Sequence, residues 1–382
     1  MTDFALDPRE LPAPPAPAAA LPPSRNLERF EFTGSAREYF GIWVVNLFLT
    51  IVTLGVYSAW AKVRKKRYFY GNTWVSGSNF EYHGNPVAIL KGRLIAFAAF
   101  LAYTLAGGFS PRGSAYMLLA LSPLIPWFVV RSMAFNATNS SWRNLGFHFD
   151  GHYRDALRAL APFILLPIAG ILAPEPEMPP QEMSAWWPYF VTPLIMALFY
   201  PYVMGSLKRL HINHSFYGEA RFNCTADIQD FYGVYILAFL LMIGLGAVYS
   251  LVAMPLVMTL PEWGWSGLWV IYLVFAAVLF GFTQARVTNL AITRTRLAGD
   301  VKLESTIEWT RLSIIYIQNL FAISFTLGLA IPWAVVRTAR YRMHCLALQC
   351  EGPLGEFAGE TGRNVGAAGD AMGDIFNVDL SL

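Results

Sequence analysis

Few side chains in this sequence are placed to do chemistry. His148, Asp150 and His152 alternate along "FHFDGH", and His211 and His214 stand three apart; donors at such spacings can hold zinc. Polar hairpin residues facing water are the simpler account of both groups, and no metal or other cofactor is expected. The cysteines, Cys224, Cys345 and Cys350, do not form a metal or redox pair by spacing. The strings G-x-x-x-x-G-K-[ST], H-E-x-x-H, G-x-S-x-G and C-x-x-C are all absent, so no familiar ATPase, hydrolase or thiol enzyme is indicated. An enzyme is the less favoured class.

What remains are polar residues inside apolar stretches, and they come in matched pairs. The phrase "NLFLTIVTLGVYSAWAKVR" (46–64) returns as "NLFAISFTLGLAIPWAVVR" (319–337), with ten of nineteen positions identical. This aligns Asn46 with Asn319, Thr53 with Thr326 and Gly55 with Gly328. Together with Gln284 they are the candidates to line a path for a small polar solute, since broken helices that present side-chain amides and free backbone groups recur in channels and transporters. The competing account is hydrogen bonding between helices, at about 0.6–2 kcal/mol per contact. A second set, Trp60, Arg64, Lys65, Lys66, Arg67, Trp127, Arg131, Trp333 and Arg337, has the composition of interfacial anchors and lipid head-group contacts.

Composition says what must position these residues. With 55% apolar and 14% charged residues, the chain is a membrane protein. Eight stretches carry no charged residue or histidine: 40–60, 94–109, 115–130, 159–173, 185–206, 231–258, 266–285 and 313–333. The segments 61–93, 131–158, 207–230 and 286–311, the residues ahead of the first stretch (1–39) and the tail from Arg337 hold 27 of the 28 Lys and Arg. They are assigned to the cytosol, and the short Pro-rich loops at 110–114, 174–184 and 259–265 to the opposite side. Both termini are expected in the cytosol. The first and last stretches must then enter the membrane and return, breaking at Thr-Leu-Gly, because glycine permits the sharp reversal; two plain spanning helices with periplasmic termini are the alternative.

Period-two alternation ending in a polar residue or Gly marks strands at "FEFTG" (30–34), "FEYHG" (80–84) and "FHFDG" (147–151), and more weakly at "FNCTA" (222–226), "VKLES" (301–305) and "LALQC" (346–350). Isolated hairpins are marginal, so these are expected to share one cytoplasmic sheet. The expected fold is a mainly α-helical polytopic bundle of about six spanning helices, two pseudo-equivalent re-entrant or spanning helices, and a cytoplasmic β-hairpin sheet built from repeats. Residues 1–29 read as a disordered arm, 30–350 as one integrated membrane domain and 351–382 as a Gly-rich tail.

The run "FEFTGSAREYFGIWVVNLFLTIVTLGVYSAWAKVRKKRYFYGNTWVSGSNFEYHG" resembles the YjgN family of uncharacterised bacterial inner-membrane proteins, which has a domain of unknown function. The likeness runs from about Phe30 to Leu348, and the ending "DAMGDIFNVDLSL" is similar too. The resemblance implies a multi-pass protein of the bacterial inner membrane and transfers no activity or catalytic residue. Two functions follow as expectations: a channel-like or transporter-like path for a small polar solute, or a membrane scaffold that contacts lipid and docks a partner on its sheet. Membrane lipids are the expected partners, with a protein partner or homo-oligomer open and nucleic acid not expected.

Overall fold

A computed structural model describes residues 25–110, 112–172, 187–259, 264–298 and 301–351. The organising element is one antiparallel sheet of eleven strands, ordered β1-β11-β10-β9-β8-β7-β6-β5-β4-β3-β2. Four tight hairpins supply most of it: β3 (Thr73–Val75) with β4 (Ser78–Tyr82), β5 (Ser140–Trp142) with β6 (Leu145–Phe149), β7 (Ser215–Tyr217) with β8 (Ala220–Cys224), and β9 (Thr295–Leu297) with β10 (Val301–Ser305). The fifth pair joins the two ends of the chain. β11 (Leu346–Glu351) pairs with β1 (Arg25–Arg29), Arg25 opposite Glu351. At Phe30 the chain changes partner, and β2 (Glu31–Phe32) pairs with β3. Both ends of the sheet therefore belong to one continuous segment, and the sheet is nearly closed. The arm expected to be disordered as far as residue 29 contributes β1, because Arg25–Arg29 completes the backbone ladder that β11 would otherwise leave open.

Helices fill the intervals between strands that are neighbours in the sheet, so each helical unit leaves the sheet and comes back beside its point of departure. The first holds α1 (Ala36–Val52) and α2 (Ser58–Gly71), and the second α3 (Pro86–Phe109), α4 (Gly113–Leu121) and α5 (Leu124–Thr138). The third holds α6 (Tyr153–Leu160), a 3-10 turn (Ala161–Ile164), α7 (Leu165–Leu172) and α8 (Trp187–Asn213). The fourth holds α9 (Ile228–Thr259) and α10 (Gly264–Thr293), the fifth α11 (Trp309–Phe325) and α12 (Ile331–His344). One backbone bond recurs in all five units: the N–H of Thr33, His83, Asp150, Thr225 and Thr306 donates to the carbonyl of Asn72, Asn139, His214, Arg294 and Cys345, at 2.8–3.0 Å. It ties the residue after the outgoing strand to the residue that ends the returning helix.

Among the described residues five helices are long and apolar enough to cross a membrane, or six if α4 and α5, bent by 45° at Ser122–Pro123, count as one broken span. The first and last units differ. At 1.5 Å per residue, the 17-residue α1 and α11 reach about 25 Å, short of the roughly 30 Å hydrocarbon core. Their tips are the two Thr-Leu-Gly turns, and the copies match in detail. Leu54 and Leu327 have φ of 49° and 50°, Gly55 and Gly328 of 92° and 95°. The Thr53 and Thr326 hydroxyls each accept from the backbone N–H four residues on, Tyr57 and Ala330, at 2.9 Å. The expected reversal is therefore built by dihedral angle, not by crowding: a Cβ on Gly55 would meet nothing within 4 Å. Gly55→Leu and Gly328→Leu are expected to cost about 1–2 kcal/mol each through the left-handed backbone, seen as lower melting temperatures in detergent. Gly244→Leu, where φ is ordinary and space is open, should melt like the parent.

The inner face of the sheet is packed solid. Val75, Trp142, Tyr217, Ala220, Leu297, Val301 and Cys350 are buried there, with Phe30, Phe80, Phe147 and Phe222 against them. Ring centroids run Phe30–Phe80 6.2 Å, Phe80–Phe147 6.4 Å and Phe147–Phe222 6.5 Å. Tyr217 donates to the Trp142 carbonyl at 3.1 Å, and burial raises its phenol to about 12.

The next residue along each outgoing strand faces the helices, and its size sets what can follow. Phe32, Tyr82 and Phe149 are each followed two residues later by glycine, and a Cβ on Gly34 or Gly84 would stand 2.7 or 2.5 Å from the aromatic ring; Gly151 is as tight against Phe149. Where the ring is replaced by Cys224 or Ser305, the glycine is replaced by Ala226 or Ile307, both buried. Bulk is exchanged between the two positions at nearly constant volume.

Candidate functional site

The polar residues matched by the repeated phrase occupy two kinds of position. Thr53, Gly55, Thr326 and Gly328 lie at the hairpin tips, beside Leu54 and Leu327, which are 96% and 95% exposed. The threonines also donate to Leu49 and Ala322 of their own helices, both at 2.7 Å. Asn46 and Asn319 are buried, at 8% and 7% exposure. Asn319 Nδ2 bridges from α11 to α12, donating to the Thr338 hydroxyl at 3.0 Å and the Ala334 carbonyl at 3.4 Å. The Oδ1 of both asparagines finds no donor among the described residues. Gln284 is half-buried on α10, in another unit.

The interfacial set is spread around the helix ends. Trp60 stacks on Tyr57, Arg64, Lys65 and Arg67 are exposed on α2, and Trp127 and Arg131 are exposed on α5. Arg67 donates to the Tyr82 carbonyl at 3.3 Å, and Lys66 donates to Asn136 Oδ1. Among the histidines, His148 stacks on Phe216 at 4.5 Å, and burial holds it below the usual histidine value against the opposing pull of Asp150. His211 and His214 flank Phe149. No group of three His, Cys, Asp or Glu among the described residues is placed to hold a metal.

Trp333 and Arg337 belong to something larger. The start of α1, strands β1 and β2 and the two helices of the last unit enclose a cleft of about 1370 Å³. One face of α11 supplies Arg311, Ile314 and Gln318, and one face of α12 supplies Trp333, Arg337, Arg340 and His344, both at helical spacing. Arg337 donates to Gln318 Oε1 and lies 5.0 Å over the Trp333 ring. Arg311 lies 5.8 Å over Tyr341, and Arg340 donates to the Gly34 carbonyl at 2.9 Å. Among the described residues only His83–Glu81 and Arg158–Asp155 come within ion-pair distance. Arg29 lines the cleft as well, and none of its four guanidiniums has a carboxylate partner within ion-pair distance among the described residues. Glu31, Glu304 and Glu308 also line it, but they sit on the strands and at the N-cap of α11, at the sheet end. Burial, with Cys345 adding to it, raises Tyr341 to about 12, and burial also raises the Cys345 thiol; neither ionises near pH 7.

Sequence reasoning singled out Trp333 and Arg337 and missed Arg311 and Arg340. Arg340 stands three residues past Arg337 as Arg67 does past Arg64, so extending the repeated phrase by one turn reaches it. Arg311 carries no comparable signal.

Comparison with known proteins joins this architecture to others. A family model for bacterial proteins of unknown function, DUF898, matches residues 27–375, which takes in every strand and helix described above except the first two residues of β1. The chain belongs to the DUF898 family. Within it, the chain is similar to the inner membrane protein YjgN of Escherichia coli O157:H7, 27% identical over 188 residues, 49% of this chain and 40% of that one. It is similar also to YjgN of Salmonella typhimurium strain LT2, 30% identical over 126 residues, 33% of this chain and 32% of that one. A shorter stretch of 53 residues, 14% of this chain and 13% of the other, is 51% identical to YjgN of Escherichia coli K12. The matched part spans less than half the length of these relatives. No solved structure matches. The DUF898 chain is a YjgN-like membrane protein, and its relatives are named for the inner membrane.

Proposed function

We propose that this protein is a lipid-contacting membrane scaffold that holds the head group of an anionic lipid in the cleft between α11, α12 and β1–β2. The observation that carries the reading is the trio Arg311, Arg337 and Arg340, without carboxylate partners beside Ile314 and Trp333. A guanidinium fork suits a phosphate oxygen pair, and the neighbouring tryptophan and isoleucine suit the start of an acyl chain. The sheet then lies at the cytosolic face, in keeping with the basic residues at the helix ends. The test is native mass spectrometry after exchange into nanodiscs of phosphatidylglycerol mixed with phosphatidylcholine. The parent should retain phosphatidylglycerol, and Arg311→Gln with Arg337→Gln should retain about tenfold less, the loss expected for one charge-assisted hydrogen bond. Equal retention by parent and variant would refute the cleft as the site.

A second reading, a route for a small neutral solute, is supported by the orphaned Oδ1 of Asn46 and Asn319, which repeat in both copies. Against it stands the cluster of aromatic and aliphatic side chains packed on the inner face of the sheet. Proteoliposome uptake of water and small polyols no faster than in protein-free vesicles would dispose of it.

A further inference from the structure

Arg337 lies halfway along the last helical hairpin, not at its end. It is the seventh of the fourteen residues of α12, and Gln318, which accepts from it, is the tenth of the seventeen of α11. Contacts with α10, a helix long enough to cross the membrane, set that height. Trp309 meets Phe282 with ring centroids 5.5 Å apart, Ser313 Oγ donates to the Val278 carbonyl at 3.2 Å, and Tyr316 meets Phe280 at 5.2 Å. The two helices run antiparallel, so the next turn of α11 brings Gln318 beside the middle of 266–285, the stretch of α10 that holds no charged residue. The guanidinium does not reach back toward the sheet. Side chains of a helix lean toward its N-terminus, which for α12 is the hairpin tip, and Arg337 lies 5.0 Å over the ring of Trp333, one turn nearer that tip. Along α11 one exposed stripe runs from the sheet to the tip through Arg311, Ile314, Gln318, Phe321 and Phe325, at the spacing of a single helix face. The open side of the cleft therefore carries a cation and an amide at a depth where the neighbouring helix has no charge.

We propose that the cleft is a path along which phospholipid head groups cross between the two leaflets, passively and in both directions. The proposal rests on the reading of the cleft as a head-group site. Arginine at such a depth is accommodated by drawing water and head groups inward and thinning the bilayer around it. A hairpin whose longer helix reaches about 25 Å, in a hydrocarbon core of roughly 30 Å, thins it further. A phosphate that enters past Arg311 meets the Gln318–Arg337 pair seven residues of α11, or about 10 Å, deeper. Its acyl chains stay in lipid beside Phe321 and Phe325 while the head group moves. From that pair to the hairpin tip is again about 10 Å along α11, where Ser324 and Thr326 are exposed.

The experiment is a lipid-exchange assay on the full-length protein in unilamellar vesicles of phosphatidylcholine and phosphatidylglycerol, with a trace of phosphatidylglycerol bearing a nitrobenzoxadiazole dye on one acyl chain. Dithionite added outside bleaches only the outer leaflet of protein-free vesicles, roughly half of the dye. Vesicles holding the parent should bleach almost completely within minutes. Arg337→Leu, which makes the middle of the hairpin apolar, should slow the second half of the bleaching at least about tenfold, and Gln318→Leu on the facing helix should slow it in the same direction. Both should still melt cooperatively in detergent, which shows that they fold. Arg296→Gln, at an exposed position of β9, should exchange lipid as the parent does. Parent vesicles that stop where protein-free ones stop overturn the exchange; if the same protein still retains phosphatidylglycerol in nanodiscs, the head-group site stands without it. Bleaching of a water-soluble dye trapped inside the vesicles would show that dithionite itself enters, and it too overturns the lipid path. So does an Arg337→Leu variant that exchanges lipid as fast as the parent.

Discussion

Gly281→Val is expected to lower the melting temperature by more than either leucine substitution at the Thr-Leu-Gly tips, because it forces α11 away from α10. A Cβ at Gly281 would stand 2.8 Å from Ser313 Cα and 2.9 Å from Ser313 N, atoms that cannot swing aside as a side chain does. Ser313 also reaches across to the Val278 carbonyl at 3.2 Å, so separating the helices breaks that bond as well. Backbone displacement of this kind costs about 3 kcal/mol or more, and even Gly281→Ala should incur part of it. Gly244→Val on α9 has open space around it and should melt like the parent in the same detergent. If the two valine variants melt alike, the close approach of α10 and α11 is wrong.

Gly84→Ala should be nearly as damaging, and it carries its own rescue. The new methyl would fall 2.5 Å from the Tyr82 ring, which is buried between strand and helices and cannot rotate away without emptying its site. The cost is about 2–3 kcal/mol. The fourth unit shows the compensated arrangement, with Cys224 and Ala226 in the corresponding places. Tyr82→Cys combined with Gly84→Ala should therefore recover part of the loss, whereas Tyr82→Cys alone leaves a cavity. A thermodynamic cycle in melting temperature tests the coupling. Purely additive losses would mean that the two positions do not share one volume.

Strand positions were legible in the sequence because aromatic alternation over three residues is a short-range signal, and "FEFTG", "FEYHG" and "FHFDG" all lie on strands or their ends. The turns at Gly55 and Gly328 were legible because duplication made Thr-Leu-Gly stand out. Closure of the sheet was not, since the pairing of Arg25 with Glu351 relates residues at opposite ends of the chain and leaves no periodic trace. Nor was the break in the third unit, where residues 159–172 of the uninterrupted apolar run fold as the end of α6, a 3-10 turn and α7; hydropathy is blind to such a change of winding. The lateral cleft was half legible. Trp333 and Arg337 flank the repeated phrase, but Arg311 enters the site only through the packing of α11 on α12.

Because the first described strand pairs with the last, the ring cannot shut until residues 346–351 have been made. While the chain is still emerging from the ribosome, β1 has no partner until residues 346–351 are made, and until then the partial ring exposes unpaired backbone at β1 and β10. Open strand edges invite pairing with other chains. A chain stopped at Cys345 should accordingly form dimers or larger species through those two edges. Once β11 has paired with β1, both strands are covered along that ladder and that pair of edges is no longer on offer. A circular permutant opened in the turn between Arg143 and Asn144, with the original ends joined by a flexible linker, should fold to the same ring.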